Sequence, residues 1–334
     1  MDTSKAFGQH SAYTFTLEKT LDEGYGEQIY FADDGHSWVS VSYNLMHYWE
    51  KCKLKGTVNI EPSHITQISF ADKYIDLGYA RYPFKGKSLE CYELENMTDS
   101  VLNAVYTDGI TKEYSDQYIL EHSAIDPLRE RVLLGFSYKP PRDGSSMLSL
   151  NDKNSIKALV DRSSGKVLNI VHQDISSVRQ LWQFSSEYLS GVSNNIGVWD
   201  KNGKLIKTIG YADHEIAALV WYDNNHLLVF LMNGQAKKID IAGDSETDLF
   251  THDSFIRKAS LIGYQGKKYL AAIHDDNTLR LWPLETGISS PLFSKSYDGT
   301  MDGVAGHPTK PLLYLSIASS SKSQIHILKL IEKR

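Results

Sequence analysis

The sequence predicts an all-β fold: a seven-bladed β-propeller of four-stranded antiparallel blades, closed by an N-terminal strand that completes the last blade. Three observations carry that expectation. Short segments with period-two alternation come in groups of four, split by Gly, Asp or Asn turns. The groups recur at intervals close to the ~40–45 residues of one propeller blade. The last group is one strand short, and the N-terminus holds one strand-like segment to spare.

Taken in order, the first blade spans about residues 22–62 and reads EQIYFAD, SWVSVSYN, LMHYWEK and GTVNIEP. The second, about 63–106, reads ITQISFAD, KYIDLGYAR and KSLECYELE. The third, about 117–171, reads YILEHSAI, RVLLGFSY, SIKALVD and KVLNIV. The fourth, about 172–211, reads SSVRQLWQF, EYLSGVSN, NIGVWD and KLIKTIG. IAALVWY, HLLVFLMN and QAKKIDI belong to the fifth, about 212–251. The sixth, about 252–296, reads RKASLIGY, KKYLAAIHD, TLRLWPL and SPLFSKS. The seventh, about 297–334, has only DGVAGHP, LLYLSIASS and QIHILKLI.

The first segments end near Phe31, Phe70, Ile125, Phe184, Tyr222, Tyr264 and His307, so four of the six intervals lie between 38 and 43 residues. The other two, 55 and 59, coincide with insertions before and within the third copy. The spare segment, residues 12–21, supplies the missing strand of the seventh blade. Closing the ring this way removes free sheet edges that would otherwise template aggregation. Helix has almost no support, because β-branched and aromatic residues fill alternate positions.

Charge and cysteine content narrow the function classes. The formal net charge is -6, which opposes the broad positive field that nucleic acid or an anionic membrane requires. Only Cys52 and Cys91 occur, too few for a disulfide framework and read as free thiols of a reducing compartment. The N-terminus lacks a basic stretch followed by an apolar run, and no segment approaches the ~20 apolar residues of a membrane span. A cytoplasmic location is expected.

With these segments in place, the chain resembles the WD-repeat family. The end of the third strand reads Trp49-Glu50, Trp199-Asp200 and Trp282-Pro283, with weaker versions at Tyr92-Glu93, Val160-Asp161 and Ile239-Asp240. The resemblance implies an upstream His before the first strand; His64, His172, His214 and His252 precede those positions by 28, 27, 25 and 30 residues. It also implies a structural chain in which a turn Asp and a hydroxyl hold the His and the Trp indole donates. Asp276 fits the Asp role in the sixth copy, where His274 stands at the position of the hydroxyl residue. Tyr43 and Ser193 occupy the Asp position in the first and fourth copies, so those chains are incomplete.

Motifs that would carry chemistry fail on spacing. No H-x-H, H-E-x-x-H or C-x-x-C metal pattern occurs. The residues Gly86-Lys87-Ser88 follow Arg81 where a phosphate-binding loop needs Gly. The segments GFSYK and GVSNN lack the second Gly of a nucleophile elbow. No catalytic residue, metal or cofactor is therefore assigned. A propeller enzyme with a metal or cofactor at the central channel stays open as the alternative, with Gln28, Gln67 and Arg179 as the inward-facing polar candidates.

The favoured reading is a non-catalytic scaffold that presents one propeller face to protein partners. Loops on a rigid frame carry such work. The third copy inserts KPPRDGSSMLSLNDKN between its second and third strands, read either as a tolerated surface insertion or as a binding loop. Its candidate contacts are Lys139, Arg142 and Met147. Tyr79, Arg81, Asn194, Asn233 and Asp275 are expected beside it on the same face, as the aromatic and Arg mixture suits a protein hot spot.

Overall fold

The structure, a computed structural model, describes residues 12–42, 44–60, 64–71, 73–84, 90–91, 118–138, 155–172, 181–192, 195–211, 214–288, 290–320 and 322–333. Seven sheets, antiparallel except for one added parallel strand, follow one another around a ring. Blade 1 holds β2 (Gln28–Phe31), β3 (Ser37–Ser42), β4 (Leu45–Glu50) and β5 (Lys53–Asn59). Between it and the next blade runs β6 (His64–Gln67); blade 2 holds β7 (Ser69–Phe70), β8 (Tyr74–Asp76), β9 (Ala80–Pro83) and β10 (Glu90–Cys91). Blade 3 holds β11 (Tyr118–Ile125), β12 (Arg131–Tyr138), β13 (Ser155–Asp161) and β14 (Val167–His172). Blade 4 holds β15 (Trp182–Phe184), β16 (Leu189–Val192), β17 (Ile196–Trp199) and β18 (Leu205–Ile209). In blade 5 these are β19 (Ile216–Trp221), β20 (His226–Leu231), β21 (Gln235–Asp240) and β22 (Ser245–Thr251). Blade 6 is β23 (Ile256–Tyr264), β24 (Lys267–His274), β25 (Thr278–Pro283) and β26 (Phe293–Ser296). Blade 7 is β27 (Thr300–Gly306), β28 (Leu312–Ala318), β29 (Ser323–Glu332) and, from the other end of the chain, β1 (Tyr13–Leu21).

The closing strand is where the strand count places it. β1 pairs antiparallel with β29 from Tyr13↔Glu332 to Leu21↔Ile325. Its alternate side chains reach back to blade 6: Phe15 meets Phe293 edge-on at 5.2 Å, and the Tyr13 and Tyr269 hydroxyls are 3.0 Å apart.

Period-two patterning buries one side chain in two against the next blade, so the core is distributed between blades rather than central. Ile196, Val198 and Ile209 of blade 4 pack with Leu227 and Val229 of blade 5. Phe230 and Leu249 of blade 5 pack with Leu270 and Trp282 of blade 6. Each blade is thus a sandwich filling with apolar residues on both faces.

Two departures from regularity bear on function. The inner strands of blades 3, 5, 6 and 7 each carry a bulge near their start, at Glu121, Ala217, Arg257 and Asp302. A bulge inserts one unpaired residue and re-aims its neighbours. Blade 2 is the other departure. Its approach strand β6 leaves the blade and pairs in parallel with β11 of blade 3, making that sheet five-stranded.

Candidate interaction face

Antiparallel order divides the turns between two faces. Turns from first to second strand lie on one, called lower here. Turns from second to third strand, together with the connections between blades, lie on the other, the upper face. The upper face is where the sequence places the residues expected to bind a partner.

Of these, Tyr79, Arg81, Asn233 and Asp275 fall among the described residues, and these four do not form one surface. Tyr79 is 3% exposed and sits in the core between blades 1, 2 and 3, so its expected place on the surface is corrected. The reason is the shortness of blade 2: β8 has three residues, and its turn drops between blades instead of reaching the face. Arg81 is turned toward the same interior, with its Nε 3.3 Å from the fully buried Asp76 carboxylate and its guanidinium 4.4 Å from the Tyr74 ring centre. Arg162 of blade 3 also grips Asp76. Removing one partner of a buried pair leaves a charge uncompensated, so Arg81 is first a structural residue. Asn233 is half-buried, and its side-chain oxygen accepts the Gln235 N–H at 3.1 Å. Asp275 is exposed. Lys139, Arg142, Met147 and Asn194 lie outside the described residues, as do Tyr43, Ser193 and Arg179.

The structural residues assemble most fully in blade 6. Trp282 is fully buried, stacked on Phe250 at 4.0 Å, and its indole N–H donates to His274 Nε2 at 3.1 Å. An indole can only donate, so His274 carries its proton on Nδ1. That nitrogen lies 3.0 Å from both the backbone oxygen and the hydroxyl of Ser254. Ser254 Oγ continues to His252 Nδ1 at 3.0 Å and accepts from Arg280 at 2.8 Å. Arg280 in turn grips Asp276 through two nitrogens.

Asp276 therefore holds an arginine, and His274, not His252, accepts the indole hydrogen bond. By ladder register the counterpart of blade 1's Ser40 is Ala272; His274 lies two residues further along and still serves as acceptor. Burial, aided by the Arg280 charge, holds His274 down to about 4. Burial by itself would raise the Asp276 carboxyl, but hydrogen bonds from Arg280 and Thr278 overcome it and hold it at about 2.

Blade 1 meets the same need differently. Trp49 donates to Ser40 Oγ at 3.1 Å, and Ser40 donates to the Gly24 carbonyl. Gly24 has φ +63°, and a Cβ there would come within 2.3 Å of the Trp49 ring. A backbone carbonyl and a glycine thus occupy the place of a histidine. Trp38 stacks on Trp49 at 4.7 Å. In blade 4, Trp199 stacks on Trp182 at 5.3 Å. His214 is exposed on the connection into blade 5; of His64 and His172 only the backbone is described.

The inner strands are tied to one another by polar side chains. Gln67, on β6, accepts the Phe184 N–H at 2.6 Å and donates to the Phe184 carbonyl at 3.2 Å, joining the strand added to the blade 3 sheet to blade 4. The Tyr30 hydroxyl lies 2.7 Å from Gln28 Oε1 and 2.8 Å from the Ile65 carbonyl oxygen, with one proton to share between them. Gln183 donates to the Leu219 carbonyl at 2.9 Å. On the opposite side of the ring Lys258 donates to the Glu27 carbonyl at 2.9 Å and Arg257 to those of His274 and Met301. Tyr25 donates to Asp302. Burial lowers the Lys258 amine, while the Glu27 and Asp302 carboxylates work against that. Sequence reading missed this cluster; Arg257-Lys258 and Asp302 stand near the start of their strands, but nothing local marks their bulges. No group of three or more His, Cys, Asp or Glu fit to hold a metal occurs among the described residues.

The overall fold is similar to that of a solved structure, the Cps50 (Swd1) β-propeller domain of Myceliophteria thermophila. The match has a TM-score of 0.61 at 13% identity and covers 95% of this chain and 99% of that one. The chain has the fold of a WD-repeat propeller. No family model and no curated protein matches its sequence. Among the described residues no helix is long and apolar enough to cross a membrane.

Proposed function

We propose that this chain is a non-catalytic scaffold whose upper face holds one or more protein partners. One observation carries the reading: the polar side chains at the inner strands are committed to backbone groups of neighbouring blades. Gln67, on the strand added to the blade 3 sheet, ties that sheet to blade 4, and Lys258 ties blade 6 to the chain entering blade 1. Each such bond from a half-buried group is worth about 0.5–1.5 kcal/mol net, and groups committed in this way serve ring rigidity better than turnover. The insertion at 139–154 and the exposed Asp275 supply the proposed contact, and a cytoplasmic protein partner fits an acidic chain.

The test is affinity capture from the native cell with the intact chain, with residues 139–154 replaced by a short Gly-Ser turn, and with Asp275→Lys. A partner held by the intact chain and lost from a variant supports the reading and locates the contact. Reproducible absence of any partner, together with a stoichiometric metal in the purified chain, would overturn it in favour of channel chemistry.

A further inference from the structure

The seam where the ring closes, between blades 7 and 1, is packed around one imidazole on its lower rim. His307 lies in the turn from β27 to β28 and is 3% exposed. Its Nδ1 accepts two backbone N–H groups, from Thr309 and Lys310, each at 3.2 Å. The ring proton therefore sits on Nε2. The imidazole covers Gly35 in the β2–β3 turn of blade 1, where φ is +66° and a Cβ would come within 2.1 Å of the ring. Phe31 of blade 1 and Tyr314 of blade 7 complete the packing, with centroids 5.3 and 6.4 Å away. One side chain thus folds the turn of the last blade and supports the turn of the first.

A second proton has nowhere to go. On Nδ1 it would convert the acceptor of two N–H groups into a donor pointing at them, and the ring would have to leave its place over Gly35. We propose that His307 is an acid-released clasp between the last and first blades: its protonation frees the two lower turns, while the pairing of β1 with β29 keeps the ring closed. A histidine is the one side chain whose ordinary range makes such a device responsive between pH 5 and 8.

The surrounding groups set its midpoint. Burial disfavours the proton most, followed by the Lys310 charge on its own turn. From the blade 1 turn His36 also disfavours it, while Asp34 and a hydrogen bond to the Gly35 backbone favour it. From β28, the Tyr314 phenol is pushed up by burial and stays neutral.

Hydrogen exchange of the intact chain at pH 7.5 and 5.0, corrected for intrinsic rates, reads the clasp directly. Peptides covering 32–37 and 307–312 are expected to exchange about tenfold faster at pH 5.0, with β1 and β29 unchanged. His307→Asn, which keeps an acceptor but cannot titrate, should abolish the step. Equal protection of both turns at both pH values, or a step that persists in His307→Asn, overturns the clasp. Should that variant not fold, two exposed neighbours decide: Asp34→Asn should lower the midpoint and Lys310→Met raise it, each by about 0.3–0.5 in pH. Midpoints that stay put, or move the same way, overturn it as well.

Discussion

Blades 1 and 6 solve the same problem with different chemistry. Each buries a tryptophan at the end of its third strand, and each must give the indole N–H an acceptor close to the connection that enters the blade. Blade 6 uses a chain of side chains, Trp282 to His274 to Ser254 to His252, braced by Arg280 and Asp276. Blade 1 needs only Ser40 and the carbonyl of Gly24. In these two blades the buried indole is satisfied, as the cost of an unpaired buried donor favours, whereas the indole N–H of Trp182 in blade 4 is buried without a hydrogen-bond partner among the described residues. The fold does not require a particular residue to satisfy an indole. Blade 6 becomes dependent on protonation state, and blade 1 on a backbone conformation.

The largest expected effect is removal of the ring itself. Trp282→Ala should lower stability by about 3–5 kcal/mol in urea denaturation, since the ring is fully buried and stacked on Phe250. A loss under 1 kcal/mol would mean that blade 6 is not cooperative with the rest of the ring.

Next comes pH. His274 is neutral in the fold, held to about 4, against an ordinary 6.5 when unfolded. The unfolded chain then binds the proton more readily, so the contribution is fully present above pH 6.5 and is lost as pH falls toward 4. Its size is roughly 3 kcal/mol. His274→Gln should be less stable at pH 7.5 yet show a shallower fall in stability between pH 6.5 and 4 than the unaltered chain. Equal slopes would move the acid sensitivity to other buried histidines.

Blade 1 should respond to geometry instead. Gly24→Ala meets both the positive φ and the Trp49 ring, and about 1–3 kcal/mol of destabilisation is expected, independent of pH. Ser40→Ala is the smallest change, about 1 kcal/mol, for the hydrogen bond to Trp49. Should Ser40→Ala cost more than His274→Gln at pH 7.5, the ranking of the two solutions would be reversed.

Local reading reached the blades but not their chemistry. Trp49, Trp199 and Trp282 stand out because a tryptophan closing an alternating segment is visible in a dozen residues. Asp276 and His274 were legible as members of a network, though not as its connections, because Arg280 competes for the carboxylate. Gly24 carried no signal, since a carbonyl acceptor has no side chain to read. Tyr79 illustrates the opposite error: in sequence it follows a turn glycine, as an exposed tip residue would, and only the neighbouring blades bury it.

What the sequence by itself determined is the kind, number and closure of the repeats. Side-chain alternation and turn residues act over a few positions, so seven groups of strands and a spare N-terminal strand can be counted without a partner in view. Tertiary structure alone decided which polar groups meet. Gln67 and Phe184 are 117 residues apart, and Lys258 and the Glu27 carbonyl are 231 apart. Each of these side chains has many accessible acceptors in an unfolded chain. The ring selects one by bringing its inner strands within hydrogen-bond reach and excluding the water that would otherwise compete.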